Sequence, residues 1–176
     1  MFFTKGIKKL VSIIGYNYAI VSDTIKYRNR IVNYTGHDTN NCVIPIYIST
    51  KLVKWYTNID ESVPVGIALL NKQGRPVILI NDACDNYTFK DVIIKHELGH
   101  IKRGHLTSYS TISKLDRELH ADIYAVNTLG YGRVMSWLYD YKRRLQFYGD
   151  SLTTVTCRIK NLNRLYGTGF SVFKKL

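Results

Sequence analysis

Residues 89–104 read FKDVIIKHELGHIKRG, and this stretch decides both the fold and the chemistry that the chain can support. Its apolar spacing predicts a helix over residues 89–100 that stops at the glycine four positions later. Inside that helix, residues 96–100 have the pattern HExxH. Four residues make about 400° of helical turn, so both imidazoles project from one face. They can hold one metal ion, with Glu97 beside them.

The HExxH pattern is rare for this composition. The chain has five histidines and three glutamates, from which about 0.002 accidental matches are expected. Two imidazoles fill only half of a zinc shell, because a catalytic site takes three protein ligands plus water. A third ligand is therefore expected downstream.

Two side chains compete for that third position. Glu118 lies on a second predicted helix, residues 114–129, and Asp122 follows it four residues later on the same face. On a continuous helix, the five residues from His100 to His105 make about 500° of rotation about the axis. The His105 side chain would therefore point about 140° away from the face that holds the metal. We expect Glu118 to bind the metal and Asp122 to accept a hydrogen bond from a liganding imidazole. His105 is expected to be a surface or packing residue whose removal leaves metal affinity nearly unchanged.

The combined motif resembles that of the gluzincin metallopeptidases. HELGH at residues 96–100, followed by ELHAD at residues 118–122, is similar to the motifs of the HtpX-like and ImmA/IrrE-like families. The similarity spans residues 76–129, with a weaker echo at Arg158-Ile159.

This resemblance implies a zincin-like fold of the gluzincin type and one Zn²⁺ per chain. It implies that the zinc ligands are His96, His100 and Glu118, with Glu97 as the catalytic general base and Asp122 in the second shell. The implied function is a zinc-dependent endopeptidase that hydrolyses peptide bonds through a metal-activated water. Such a carboxylate takes a proton from the water and returns it to the leaving amine.

Two other functions remain open. One is a regulatory protein that binds peptide or DNA and keeps the metal for structure. The other is a zinc amidase that acts on a non-protein amide. Glu97 argues against the first, because a structural site has no need of a base beside the metal.

The order of predicted elements favours an α+β fold, in which a small antiparallel sheet precedes a helical bundle carrying the HExxH helix. Residues 63–70 and 75–81 are apolar runs joined by Asn-Lys-Gln-Gly, which predicts a hairpin. Residues 43–50 are rich in β-branched side chains, and Pro45 makes them either an edge strand or an extended segment that leads into the sheet.

Helices are predicted after the sheet, and no long linker interrupts them. Their expected ranges are 89–100, 114–129, 133–148 and 152–166. We expect a single domain over residues 1–176. Its parts are a basic N-terminal segment (1–36), a catalytic core (43–130) and basic C-terminal helices (131–176).

The strand at residues 75–81 directly precedes the HExxH helix. It could bind an extended peptide by strand addition, through Val77, Leu79 and Asn81. Core packing is the alternative, because both faces of this strand are apolar.

Three tyrosines are candidates for stabilising a tetrahedral oxyanion: Tyr109, Tyr131 and Tyr141. The chain has 14 tyrosines, and packing is the ordinary role of each. The sequence does not choose among the three.

The net charge of +12 belongs to the flanks. Residues 1–36 carry net +5 and residues 133–176 net +7, whereas the residues between them are neutral. The expected partner of the site is a protein or peptide substrate. The charge distribution adds a second candidate partner, an anionic surface of nucleic acid or lipid. Solvated helix faces are the alternative.

Cysteine usage indicates the compartment. The three cysteines are scattered and form no CxxC pair, which is typical of a reducing environment. No apolar run approaches the roughly 18 residues that cross a bilayer, so no transmembrane segment is expected. We predict a cytoplasmic protein rather than a secreted one. The abundance of Ile, Lys, Asn and Tyr would also suit a phage-encoded protein that acts in the host cytoplasm.

Overall fold

The computed structural model describes residues 44–71, 74–106 and 112–167. The α+β prediction is confirmed, and the four predicted helices begin and end within two residues of the expected positions. The described elements, in chain order, are β1 (Ile46–Ile48), α1 (Thr50–Thr57), β2 (Gly66–Leu70), β3 (Pro76–Ile80), a 3₁₀ turn (Asp82–Cys84), α2 (Lys90–Lys102), α3 (Lys114–Leu129), α4 (Tyr131–Phe147) and α5 (Thr153–Tyr166).

The three strands form one sheet in the order β1-β3-β2. The predicted hairpin is confirmed, since β2 and β3 are antiparallel with Ile67 opposite Leu79. The expectation of a purely antiparallel sheet is wrong, because β1 runs parallel to β3 with Ile46 opposite Ile78. β2 carries the chain back along the outer edge of the sheet, so β3 runs in the same direction as β1 and lies beside it. Helix α1, between β1 and β2, was not predicted from the sequence.

The central position of β3 contradicts strand addition at residues 75–81. Both edges of β3 are already hydrogen-bonded, to β1 and to β2. Val77 and Leu79 are buried in the core. The Asn81 side chain instead donates to the backbone carbonyls of Glu61 at 3.1 Å and Val63 at 2.6 Å. Val77 and Leu79 thus pack in the core, and the hydrogen bonds of Asn81 stabilise the loop that leads into β2.

The core extends without a break from the sheet into the helices. Ile78, Ile80 and Leu98 are almost completely buried, as are Leu138 of α4 and Leu162 of α5. Helices α4 and α5 therefore belong to the same hydrophobic core as the sheet and α2. This packing places the HExxH helix between the sheet and the three later helices.

Several cationic side chains of the basic C-terminal helices form ion pairs with acidic residues. Arg133 pairs with Asp91 at 2.9 Å, and Arg144 pairs with Asp140 at 2.8 Å. Residues 1–36 lie outside the described residues, so an anionic partner for the flanks stays a prediction. None of the described helices is both long and apolar enough to cross a membrane.

Candidate metal centre

Helices α2 and α3 bring His96, His100 and Glu118 to one point. The Nε2 atoms of the two histidines are 3.2 Å apart. One Glu118 carboxylate oxygen lies 3.3 Å from His96 Nε2, and the other lies 3.5 Å from His100 Nε2. The three predicted ligands therefore form a cluster that could hold a metal ion.

Close contact between two helices makes this cluster possible. A Cβ atom on Gly99 would lie 2.8 Å from the Ala121 Cα and 2.9 Å from the Ala121 carbonyl oxygen. Real Cβ atoms do not approach backbone that closely, so only glycine fits at position 99. Gly99 and Ala121 lie within the two motifs that resemble the gluzincins. They set the distance at which Glu118 can meet the two histidines.

We expect Gly99→Ala to destabilise the protein and to weaken metal binding, because α3 must move away from α2. The overpacking should lower the free energy of unfolding by about 1–3 kcal/mol, despite the roughly 1 kcal/mol that alanine gains over glycine in a helix. Gly132→Ala is the matched control, since nothing lies within 4 Å of its new Cβ. Urea unfolding and zinc titration of both variants test this. Equal behaviour of the two would contradict the steric role of Gly99.

Asp122 accepts a hydrogen bond from His96 on the side of the ring away from the ligand cluster, as the sequence predicts. Its Oδ1 lies 2.8 Å from His96 Nδ1, and the carboxylate is fully buried. With Nδ1 donating to Asp122, Nε2 is the nitrogen of His96 that can bind a metal. The imidazole is thus held in the tautomer and orientation that a ligand needs.

Arg158 of α5 belongs to the site, although it was not among the predicted site residues. Its Nε and Nη2 donate to the two oxygens of Asp122 at 2.8 and 2.6 Å, and its Nη1 lies 3.2 Å from Glu118. The guanidinium is buried and lies over the Trp137 ring, 5.2 Å from its centroid. The echo at Arg158-Ile159 was the sequence signal for it. Its partners lie 36 and 40 residues earlier, so spacing alone did not connect them.

His105 is buried, so of the two expected roles, surface or packing, the structure excludes the surface one. Its Nδ1 lies 3.0 Å from His100 Nδ1, and its ring stacks on that of His120. It is not one of the clustered ligands, because its nearer nitrogen faces the outer side of His100. Of the two candidates for the third position, Glu118 and not His105 clusters with His96 and His100.

Glu97 projects into the cleft beside the ligand cluster. Its side chain is buried, and the backbone N–H of Ala68 in β2 forms a hydrogen bond with it. Burial raises the pKa of Glu97 to about 7; the charge of Glu118 adds to the shift, and that of His96 opposes it. A carboxyl with a pKa near neutrality can both accept and release a proton.

The protonation of the three clustered residues follows from their surroundings. Burial and the neighbouring His96 lower the pKa of His100 to about 3, so this imidazole is neutral. Burial opposes the ionisation of Glu118, but His96 and Arg158 hold its pKa well below the usual range. Burial and Arg158 oppose protonation of His96, yet Asp122 and Glu118 together outweigh them and raise its pKa to about 9. A metal ion that binds His96 must therefore displace a proton.

A cleft of about 510 Å³ opens over these residues. Residues 65–68, which include the start of β2, form one wall, and Trp137 and Tyr141 of α4 also line the cleft. Of the three candidate tyrosines, Tyr141 lies in the cleft. Tyr131 donates to Asn163 at 2.6 Å and does not line it. Tyr109 lies outside the described residues.

The gluzincin resemblance rests on the motifs HELGH at residues 96–100 and ELHAD at residues 118–122. No protein-family model matches the chain, and neither a curated protein nor a solved structure is significantly similar to it.

Proposed function

We propose that this protein is a zinc-dependent endopeptidase. Its zinc ligands are His96, His100 and Glu118, and its general base is Glu97. One observation carries the proposal: two imidazole nitrogens and a carboxylate converge in a cleft, with a second buried carboxylate beside them. A purely structural site would have no use for that second carboxylate.

The donor set and its spacing favour zinc. Two ligands about 2.1 Å from a tetrahedral metal lie about 3.4 Å apart. The two histidine Nε2 atoms are 3.2 Å apart, which is close to that value. Each also lies near a different oxygen of Glu118, His96 Nε2 at 3.3 Å and His100 Nε2 at 3.5 Å. Magnesium and calcium prefer all-oxygen shells, whereas imidazole nitrogen suits zinc.

The residues of the chain have separate tasks in peptide hydrolysis. Bound zinc would polarise the substrate carbonyl and lower the pKa of the attacking water towards about 7. Glu97 takes a proton from that water as its oxygen bonds to the carbonyl carbon. Glu97 then gives the proton to the amide nitrogen as the C–N bond breaks, so that the products are a carboxylic acid and an amine. Asp122 and Arg158 hold the ligands in place throughout.

The edge of β2 favours a polypeptide over a small amide. β2 is an outer strand of the sheet, and among the described residues no strand pairs with its other edge. The same segment lines the cleft. An extended peptide can add to such an edge by backbone hydrogen bonds, which brings a scissile carbonyl towards the ligand cluster. A cell-wall amide or other small substrate would not need this strand.

Removal of the metal tests the function. We expect the zinc-loaded protein to cleave an unstructured polypeptide, to lose this activity in excess chelator and to regain it when zinc is restored. Glu118→Ala should not regain activity at the same zinc concentration, because it lacks a ligand. Glu61→Ala is the control, since Glu61 is exposed and its carboxylate pairs with Lys54 at 3.6 Å, away from the ligand cluster. Activity that persists in chelator would overturn the proposal.

A further inference from the structure

We propose that His105 is a positioning residue for the metal centre. It accepts a hydrogen bond from His100 and thereby aims the other nitrogen of His100 at the metal. This inference rests on the proposed metal site and names a part of it that the HExxH pattern does not contain.

Backbone and side chain both hold His105 against His100. Gly104, with a φ of +69°, turns the chain at the end of α2. The backbone N–H of His105 then donates to the His100 carbonyl oxygen at 3.0 Å. The two Nδ1 atoms are also 3.0 Å apart, and both rings are largely shielded from solvent.

The location of the protons in this pair follows from the role of His100. A neutral imidazole carries one proton, on Nδ1 or on Nε2. Nε2 of His100 faces His96 and Glu118, so a liganding His100 must leave Nε2 unprotonated and carry its proton on Nδ1. That N–H donates to Nδ1 of His105. His105 therefore carries its own proton on Nε2.

The arrangement repeats, with a different acceptor, what Asp122 does for the first ligand. His96 donates from Nδ1 to an Asp122 oxygen at 2.8 Å, and His100 donates from Nδ1 to His105 at 3.0 Å. Each liganding imidazole thus has an acceptor on the side away from the metal. Such acceptors fix the tautomer and the ring orientation, and their loss commonly lowers metal affinity about 10- to 100-fold.

A purely apolar packing role for His105 fits the surroundings poorly. Its Nε2 is buried and has no hydrogen-bond partner among the described residues. An aromatic hydrocarbon in the same place would fill the space and avoid this unsatisfied N–H. The ring nitrogen that is satisfied, Nδ1, is the one that faces His100.

Two substitutions separate positioning from packing. In His105→Asn, an amide oxygen takes the place of Nδ1 and can still accept the hydrogen bond. In His105→Phe, a ring fills the space but accepts nothing. We expect His105→Phe to raise the zinc dissociation constant about 10- to 100-fold, and His105→Asn to stay within about threefold of the wild type.

The experiment is a zinc titration of the full chain against a chelator of known affinity, with thermal unfolding as a check that both variants fold. In the zinc-loaded wild type, ¹H–¹⁵N NMR of the histidine rings should find His105 protonated on Nε2. Zinc affinity in His105→Phe equal to that of the wild type, or better than in His105→Asn, would overturn the positioning role alone. A wild type that binds no zinc would overturn the metal site itself.

Discussion

Glu97→Gln is expected to abolish nearly all peptide hydrolysis while the protein still folds and binds zinc. The amide has the shape of the carboxylate and its oxygen can still accept from Ala68, but it cannot take a proton from water. A general base contributes about 10²- to 10⁴-fold to the rate, so a loss of that size is expected in kcat. Cleavage of a fluorogenic peptide and zinc content should be measured on the same preparation.

The control for that loss is Glu61→Gln, which makes the same chemical change at an exposed glutamate. It should retain the activity and the zinc of the wild type. Activity of Glu97→Gln within twofold of the wild type would remove Glu97 from the mechanism. Loss of zinc together with activity would assign Glu97 a role in metal binding instead.

Arg158→Met should have the largest effect on stability. The guanidinium is the cation closest to both Asp122 and Glu118, and it is almost fully buried. Methionine would leave those carboxylates without this partner, and removal of one side of a buried ion pair lowers the free energy of unfolding by about 3–5 kcal/mol. Urea unfolding in excess chelator measures the effect without a contribution from metal binding.

Arg164→Met is the matched control, because Arg164 is on the same helix and exposed. Its free energy of unfolding should stay within about 0.5 kcal/mol of the wild type. A similar, small loss in both variants would mean that the buried network around Asp122 contributes little to the fold.

The features that follow from local patterns could be predicted from the sequence. The HExxH helix is set by apolar spacing over one short segment, and Glu118 and Asp122 are four residues apart on the next helix. These patterns, with the gluzincin resemblance, pointed to the residues that cluster and to the hydrogen bond between His96 and Asp122.

The remaining features depend on which elements pack together, and local patterns do not contain that information. β1 pairs with β3 rather than with β2, its next strand along the chain, and this long-range pairing is not specified by any local pattern. Strand 75–81 is apolar on both faces. This pattern is typical of a central strand, which it is, rather than of an exposed strand that binds peptide. Arg158 reaches Asp122 only because α5 packs against α3.

Anomalous diffraction at the zinc absorption edge, from crystals of the zinc-loaded protein, tests the proposed metal centre most directly. We expect one peak per chain, about 2.0–2.2 Å from His96 Nε2, His100 Nε2 and a Glu118 oxygen. Glu97 should lie beside it without bonding to it. A map with no peak at this position, or with a peak bonded to His105 while Glu118 points away, would contradict the proposed centre.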